Sequence, residues 1–338
     1  MIAKMSKNEK GFLTYNQQMR KLRSIKHISC NGSSHKRLLV RAGYFNIING
    51  YKAPFICDID ANGNHIYLPE TSLDQIYTVK RFDDELRSFI LKYITQVEEE
   101  IRALTAYAFD RANSDGTIYW FETDAFSPEE ALQNKMNVIS SAYSELARSK
   151  LDYVRFYMEN HHSIPTWIMI KAVNFSTFIN VLQYSKKDVY SSICRLYQIM
   201  DERNFPNKKL LIGALHWMRT VRNSCAHNER IYCISRDNET NKRSGRIIET
   251  YIRSLRPSYQ RDKRQCLFDL CVYFKYFLPA DEFQSFIADL KAQLFKLKSR
   301  ISENAFEAVR GKMGIKNMDD LDILISLPKD EINYNKFG

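Results

Sequence analysis

The sequence predicts a mainly α-helical protein, a helical bundle with an N-terminal helical region and one small β element. Three observations lead to this fold class. The 338 residues include only 11 Gly and 8 Pro, fewer than a turn-rich all-β chain needs. Hydrophobic residues make up 44% of the chain, which is enough for one or two cores. Apolar residues also recur at helical spacing from Leu73 to about Arg111.

The N-terminal region alternates helix and turn signals. In order, we predict a helix over 14–26, a loop over 31–34, a second helix over 35–56, and two short strands over 53–59 and 65–68. Thr14 is a suitable N-cap for the first helix, and Gly50 marks the end of the second, which centres on Leu38 to Ile48. The turn-forming residues 60–64 separate the two strands, so a small hairpin is expected.

The rest of the chain is predicted to be helical. The expected helices cover residues 73–111, 127–161, 186–199, 208–222, 265–277 and 280–301, and a short tail follows near 313–327. A loop over 163–167 is expected to lead into a further helix that holds Phe175, Phe178, Ile179 and Leu182. Ser127 is the expected N-cap of its helix, because Pro128 follows it at the first helical position. Asn207 precedes the strong helix over 208–222. Residues 234–265 are polar and basic, and they predict a long loop or arm.

The net charge of +11 is concentrated in two segments. Residues 1–52 carry a net charge of +10 and residues 200–265 carry +8, whereas 53–199 carry −6. Two basic segments that fold together would bind a polyanion such as RNA; ordinary solvated basic faces are the alternative. The candidate RNA-binding residues are Arg20, Lys21, Arg23, Lys36, Arg37, Arg41, Lys208, Lys209, Arg219, Arg230, Arg243 and Arg246.

Composition also bounds the compartment. No stretch approaches the roughly 20 apolar residues of a membrane span, and the first residues lack the apolar core of a signal peptide. The seven cysteines are odd in number and include no CxxC pair, which favours reduced thiols. We therefore expect a cytoplasmic protein without a membrane partner.

One segment carries a possible catalytic group. No Walker loop, GxGxxG, GxSxG or HExxH motif is present, but Arg222, Asn223 and His227 fall within six residues of the segment HWMRTVRNSCAHNERIY. Residues five apart on a straight helix differ by about 140°. Convergence of Arg222 and His227 therefore requires a helix end between them, which we expect at Asn223-Ser224.

An imidazole and a guanidinium suit RNA cleavage without a metal ion. Imidazole is the usual general acid or base of enzymes, so His227 can exchange a proton with the 2′-hydroxyl or the leaving 5′-oxygen. Arg222 can bind the scissile phosphate. Two alternatives remain: the pair only caps and packs a helix end, or His227 joins Cys225 and Cys233 in a zinc site that lacks a fourth ligand.

The segment RTVRNSCAHNERIY resembles the Arg-x4-His motif of the HEPN ribonuclease superfamily, and specifically that of Abi-like (abortive infection) phage-defence proteins. The likeness covers residues 12–235 and rests on further blocks: Tyr15, Gln17 and Gln18; the Gly43 to Tyr51 segment; Phe82, Asp83, Leu86 and Arg87; Glu98 and Arg102; and Pro165, Trp167 and Phe175. One departure is Asn228, which stands where many relatives have a second His.

This resemblance implies a HEPN-like helical bundle that acts as a homodimer, because the active site is composite and the chain has one such motif. It implies Arg222, Asn223 and His227 as site residues, no cofactor and no metal, and RNA products that end in a 2′,3′-cyclic phosphate. The implied divisions are a basic N-terminal helical region (1–70), a HEPN-like core (71–235), a basic loop or arm (236–265) and C-terminal helices (266–338).

The leading hypothesis is thus an endoribonuclease toxin of bacterial phage defence that a non-coding RNA antitoxin restrains. The alternative hypothesis is a non-catalytic RNA-binding adaptor with the same fold. In that case the basic surface would bind RNA, while His227 would only pack.

Overall fold

A computed structural model describes residues 11–113, 118–201, 203–237 and 264–326 of the chain. These residues are mainly helical and include a small antiparallel hairpin, which confirms the predicted fold class. They belong to two compact units. The first takes in residues up to Glu85 together with Ala292–Arg310, and the second takes in Leu86–Lys291 together with the residues from Gly311 onward.

The N-terminal unit begins with helices α1 (Tyr15–Ser24) and α2 (Gly32–Ala42). Thr14 caps α1 as predicted, in a reciprocal capping box with Gln17. The predicted bounds of α2 are wrong at both ends, and the predicted loop over 31–34 is mostly helix. The helix ends early because Gly43 adopts a φ of 78°, after which residues 45–49 form a short π-helical turn.

The predicted hairpin is confirmed in the same unit. Strand β1 (Ile56–Ile59) pairs antiparallel with β2 (His65–Tyr67), and the Asp60 carboxylate accepts hydrogen bonds from the turn backbone. Beyond the hairpin, the buried Asp83 carboxylate accepts a hydrogen bond of 2.9 Å from the Tyr51 hydroxyl. This bond joins the π-turn region to the long helix that follows.

Helix α3 (Leu73–Ala112) is the 40-residue helix that the apolar period predicts. The single helix predicted over 127–161 is wrong, because the structure has α4 (Leu132–Ala147) and α5 (Asp152–Asn160) there. Ser127 is no N-cap: its backbone N–H donates to the Tyr184 carbonyl at 2.9 Å. This long-range bond holds the segment before α4 outside the helix.

The remaining elements complete the second unit and part of the first. They are α6 (Thr166–Ala172), α7 (Phe175–Tyr184), α8 (Lys187–Leu196), α9 (Lys208–Ala226), β3 (Arg236–Asp237), β4 (Arg264–Gln265), α10 (Leu267–Phe277), α11 (Ala280–Lys298), α12 (Glu303–Lys312) and α13 (Asp319–Ser326). Strands β3 and β4 pair antiparallel at the two ends of the predicted arm. Residues 238–263 of that arm lie outside the described residues.

The core of the second unit is aromatic and aliphatic. Helix α7 packs against α4 and α9, and α9 also contacts α8 and α10. Phe89 of α3 stacks on Phe286 of α11 with a centroid distance of 5.1 Å, and Tyr93 and Phe274 complete this cluster. Of the described helices, none combines the length and the apolar character that a membrane span requires.

Candidate active site

Helix α9 carries the Arg-x4-His segment. It begins after Asn207, whose Oδ1 accepts a hydrogen bond of 3.0 Å from the Leu210 N–H. Leu211, Leu215 and Met218 lie on its fully buried side. Arg222 lies elsewhere on the helix surface, where its side chain stays 40% exposed.

The predicted break at Asn223-Ser224 is wrong. Helix α9 continues through both residues to Ala226, and the His227 N–H donates to the Asn223 carbonyl at 3.0 Å. The helix thus keeps Arg222 and His227 about 140° apart around its axis. His227 is the C-cap residue, and its exposed imidazole makes no hydrogen bond with any described residue.

A Schellman motif ends α9. Asn228 has a φ of 56°, the left-handed conformation that Asn tolerates better than most residues. Its N–H donates to the Cys225 carbonyl at 3.2 Å, and the Glu229 N–H donates to the Ser224 carbonyl at 2.8 Å. The buried Arg87 of α3 donates to the Glu229 carbonyl at 3.3 Å. This contact ties the end of the helix to α3.

Glu98 of α3 holds two arginines. Its Oε2 lies 3.8 Å from Nε of Arg222, and its Oε1 accepts hydrogen bonds of 2.7 and 3.1 Å from Nη2 and Nε of Arg102. The side chains of Glu98 and Arg102 are only 12% and 11% exposed. A shielded carboxylate therefore lies within ion-pair distance of the partly exposed Arg222 guanidinium.

Arg102 is the buried member of this network. Its guanidinium lies 4.8 Å from the centroid of the Phe178 ring, and its Nη1 donates to the Ile170 carbonyl. Burial lowers the pKa of Arg102, and the neighbouring Glu98 carboxylate opposes this shift. Arg102 thus joins α3, α6 and α7, which form the surroundings of Arg222.

Arg222 lines a cleft of about 800 Å³. One face of α3 and one face of α6 supply most of the walls. The lining residues are Thr95, Glu98, Glu99, Arg102, Ala103, Ala106, Tyr107, Asp110, Trp167, Ile168, Ile170, Lys171 and Arg222. His227 and Asn223 are not among them, although the Asn223 Oδ1 accepts a hydrogen bond of 3.4 Å from Nη1 of Arg222.

The predicted RNA-binding residues divide between the two units. On α1 and α2, Arg20, Arg23, Lys36, Arg37 and Arg41 are exposed, whereas Lys21 is half-buried. In the second unit, Lys209 and Arg230 are exposed, Lys208 lies 4.8 Å from the centroid of the Tyr190 ring, and Arg219 donates to the Ser176 hydroxyl. Arg243 and Arg246 lie outside the described residues. A shared basic surface stays a prediction.

Sequence reasoning missed most of the cleft. Trp167 and Lys171 lie one turn apart on α6, and Tyr107 and Asp110 lie on α3. One signal was available on α3, where Thr95, Glu99, Ala103 and Tyr107 recur every four residues as an exposed row beside the apolar stripe. On α6, Trp167 belongs to a block of the family resemblance, and no further sequence signal marks the rest of that face.

The zinc alternative is not supported. Among the described residues, no group of three or more His, Cys, Asp or Glu side chains is placed to hold a metal ion. Cys225, His227 and Cys233 therefore do not form such a group. Cys225 is instead buried in the core of the second unit.

Comparison of the chain with known protein families gives a match. No curated protein and no solved structure matches the chain. The family described as Abi-like protein matches residues 37–233, a span that includes Glu98, Trp167, Arg222 and His227. Because this match covers more than half of the sequence, the chain belongs to the family of Abi-like proteins, a family that points to abortive infection as a defence against phage.

Proposed function

We propose that this protein is an endoribonuclease toxin that cleaves RNA without a metal ion, at a site that two copies of the chain form. The main supporting observation is that the partly exposed Arg222 lines a cleft and lies within ion-pair distance of Glu98. A guanidinium in this position can bind a phosphate in the bidentate geometry and stabilise charge that develops during cleavage.

In the proposed reaction, the ribose 2′-oxygen attacks phosphorus and the bond to the 5′-oxygen breaks. His227 accepts the proton of the 2′-hydroxyl, and the leaving 5′-oxygen takes up a proton from water. The products are a 2′,3′-cyclic phosphate and a 5′-hydroxyl. Asn223, which accepts a hydrogen bond from Arg222, orients the guanidinium.

The unbroken helix supports the homodimeric site. Arg222 and His227 of one chain lie about 140° apart around α9, and only Arg222 lines the cleft. A second copy would supply the histidine that meets each Arg222. The exposed cations of α1 and α2 would then serve a non-coding RNA antitoxin.

The test compares RNA cleavage by the purified protein, freed of bound RNA, with that by Arg222→Ala and His227→Ala, all in EDTA. We expect wild type to leave cyclic phosphate ends and each variant to be at least about 100-fold slower. His162→Ala is the matched control, because His162 is another exposed histidine and does not line the cleft. Cleavage by His227→Ala at the wild-type rate would contradict the proposal.

Mixing the two inactive variants tests the shared site. If subunits exchange, a mixed dimer holds one intact Arg222 and one intact His227 across the interface, so part of the activity should return. An inactive mixture that demonstrably contains mixed dimers would contradict a site shared in this way.

The RNA-binding adaptor is the second candidate. It is favoured by the exposed His227 imidazole, which no described residue orients. RNA binding without cleavage in wild type, Arg222→Ala and His227→Ala alike would favour the adaptor over the nuclease.

A further inference from the structure

The cleft beside Arg222 has the size and chemistry of a ligand site. Its volume of about 800 Å³ lies in the range of small-molecule pockets. Six of its 13 lining residues are charged, whereas the centre of a protein interface is depleted of charge. A small, partly charged ligand therefore suits this cleft better than the apolar face of another helix does.

The cleft is lined by two exposed aromatic residues, Trp167 and Tyr107. The residue surface of Trp167 is 54% exposed, whereas the other two tryptophans of the sequence, Trp120 and Trp217, are 3% and 0% exposed. Tyr107, which α3 contributes to the lining, is 68% exposed. Exposed indole and phenol rings offer flat faces on which an unpaired nucleobase stacks.

The charged groups of the cleft match the two ends of a nucleotide. Arg222 and Lys171 provide cations for a phosphate. Glu99 and Asp110 provide carboxylates whose side chains accept no hydrogen bond from any described residue, so they are available to the N–H groups of a base. Glu98 repels a phosphate less than an unpaired carboxylate would, because Arg102 already pairs with it.

We propose that this cleft is a nucleobase subsite, in which an unpaired base of the RNA stacks on Trp167 while a neighbouring phosphate binds Arg222. The inference rests on the proposed function, because it takes RNA as the ligand. It adds a requirement: the RNA must present an unpaired base beside the phosphate that Arg222 holds. Double-stranded RNA would not meet this requirement.

Tryptophan emission can test the subsite in the non-cleaving His227→Ala background. A short single-stranded oligoribonucleotide should quench the emission, and an abasic oligomer of the same length should quench it far less. Adding Trp167→Ala should weaken oligonucleotide binding by about 10- to 100-fold. Trp167→Phe keeps an aromatic face and should retain much of the affinity, while it identifies the emission that belongs to Trp167.

Three results would overturn the subsite: equal affinity of Trp167→Ala and its parent, equal quenching by the abasic oligomer, or RNA-insensitive emission of Trp167 that shifts with protein concentration. The last would show that a second copy covers the cleft.

Cleavage assays separate this inference from the proposed function. If RNA binding depends on the base but the wild-type protein does not cleave RNA, only the nuclease proposal is wrong. If the wild-type protein cleaves RNA but Trp167→Ala binds it unchanged, only the subsite proposal is wrong.

Discussion

Glu98 serves two arginines that differ in exposure. Arg102 is almost enclosed by aromatic rings and protein backbone, whereas Arg222 reaches the cleft. The Glu98 carboxylate lies within ion-pair distance of both guanidinium groups and attracts both. The catalytic candidate therefore depends on a residue 124 positions earlier in the sequence.

Glu98→Gln should destabilise the protein more than an exposed charge change does. It leaves the Arg102 guanidinium in place without its carboxylate, at a cost of about 2–4 kcal/mol in the free energy of unfolding. The matched control is Glu303→Gln, because Glu303 pairs with Lys298 at the surface and its loss should cost at most about 1 kcal/mol. Chemical unfolding of both variants measures the difference, and equal losses would contradict a shielded pair.

At the residue scale, the sequence identifies which side chains could do chemistry, but it does not identify their neighbours in the folded protein. Arg222 and His227 could be selected from their spacing and from family resemblance. Three tryptophans look alike in the sequence, and only the packing shows that Trp167 is exposed in a cleft while Trp217 is core. Long-range packing decides which side chains share a cavity, so a local pattern could mark the exposed row on α3 but not its meeting with α6 and Arg222.

The ends of helices were harder to predict than the helices themselves. The period of α3 and the Asn207 cap of α9 were readable because both depend on nearby residues. The segment before α4 was not, since Ser127 binds the carbonyl of Tyr184. The end of α9 depends on the left-handed backbone of Asn228, where the sequence suggested an earlier break at Asn223.

Asn228 gives a prediction at the scale of this element. Asn228→Gly should keep the Schellman motif and change stability little, because Gly adopts a positive φ without strain. Asn228→Val should cost about 1–2 kcal/mol and move the C-cap His227, because a β-branched residue strains in that conformation. Thermal unfolding of the two variants measures the contrast. Equal melting temperatures would contradict the role of this conformation.

Across the whole molecule, buried phenols and thiols favour their neutral forms. Burial raises the pKa of Tyr44 and of Cys194 to about 12, and it raises the pKa of Tyr197 and Tyr273 as well. The usual values are 10.0 for Tyr and 9.0 for Cys. These groups thus ionise more easily in the unfolded chain than in the folded chain.

Stability should therefore be unaffected by these groups below about pH 9 and should fall as the pH rises from there towards 12. Melting temperatures measured from neutral pH to about 11 test the trend. Tyr44→Phe should make the fall in melting temperature at high pH smaller. It should not lower the melting temperature at neutral pH, because the Tyr44 hydroxyl has no hydrogen-bond partner among the described residues. A wild-type melting temperature that stays constant up to pH 11 would contradict this prediction.

The long helix α3 has a consequence for synthesis on the ribosome. Its residue Gln96 donates to Glu282, which lies 186 residues later, and Phe89 stacks on the still later Phe286. At roughly 5–20 residues per second, about 10–40 seconds pass between the appearance of α3 and that of α11. During this interval the aromatic side chains that α11 will cover remain available to other chains, so newly made protein is most open to aggregation before its C-terminal helices emerge.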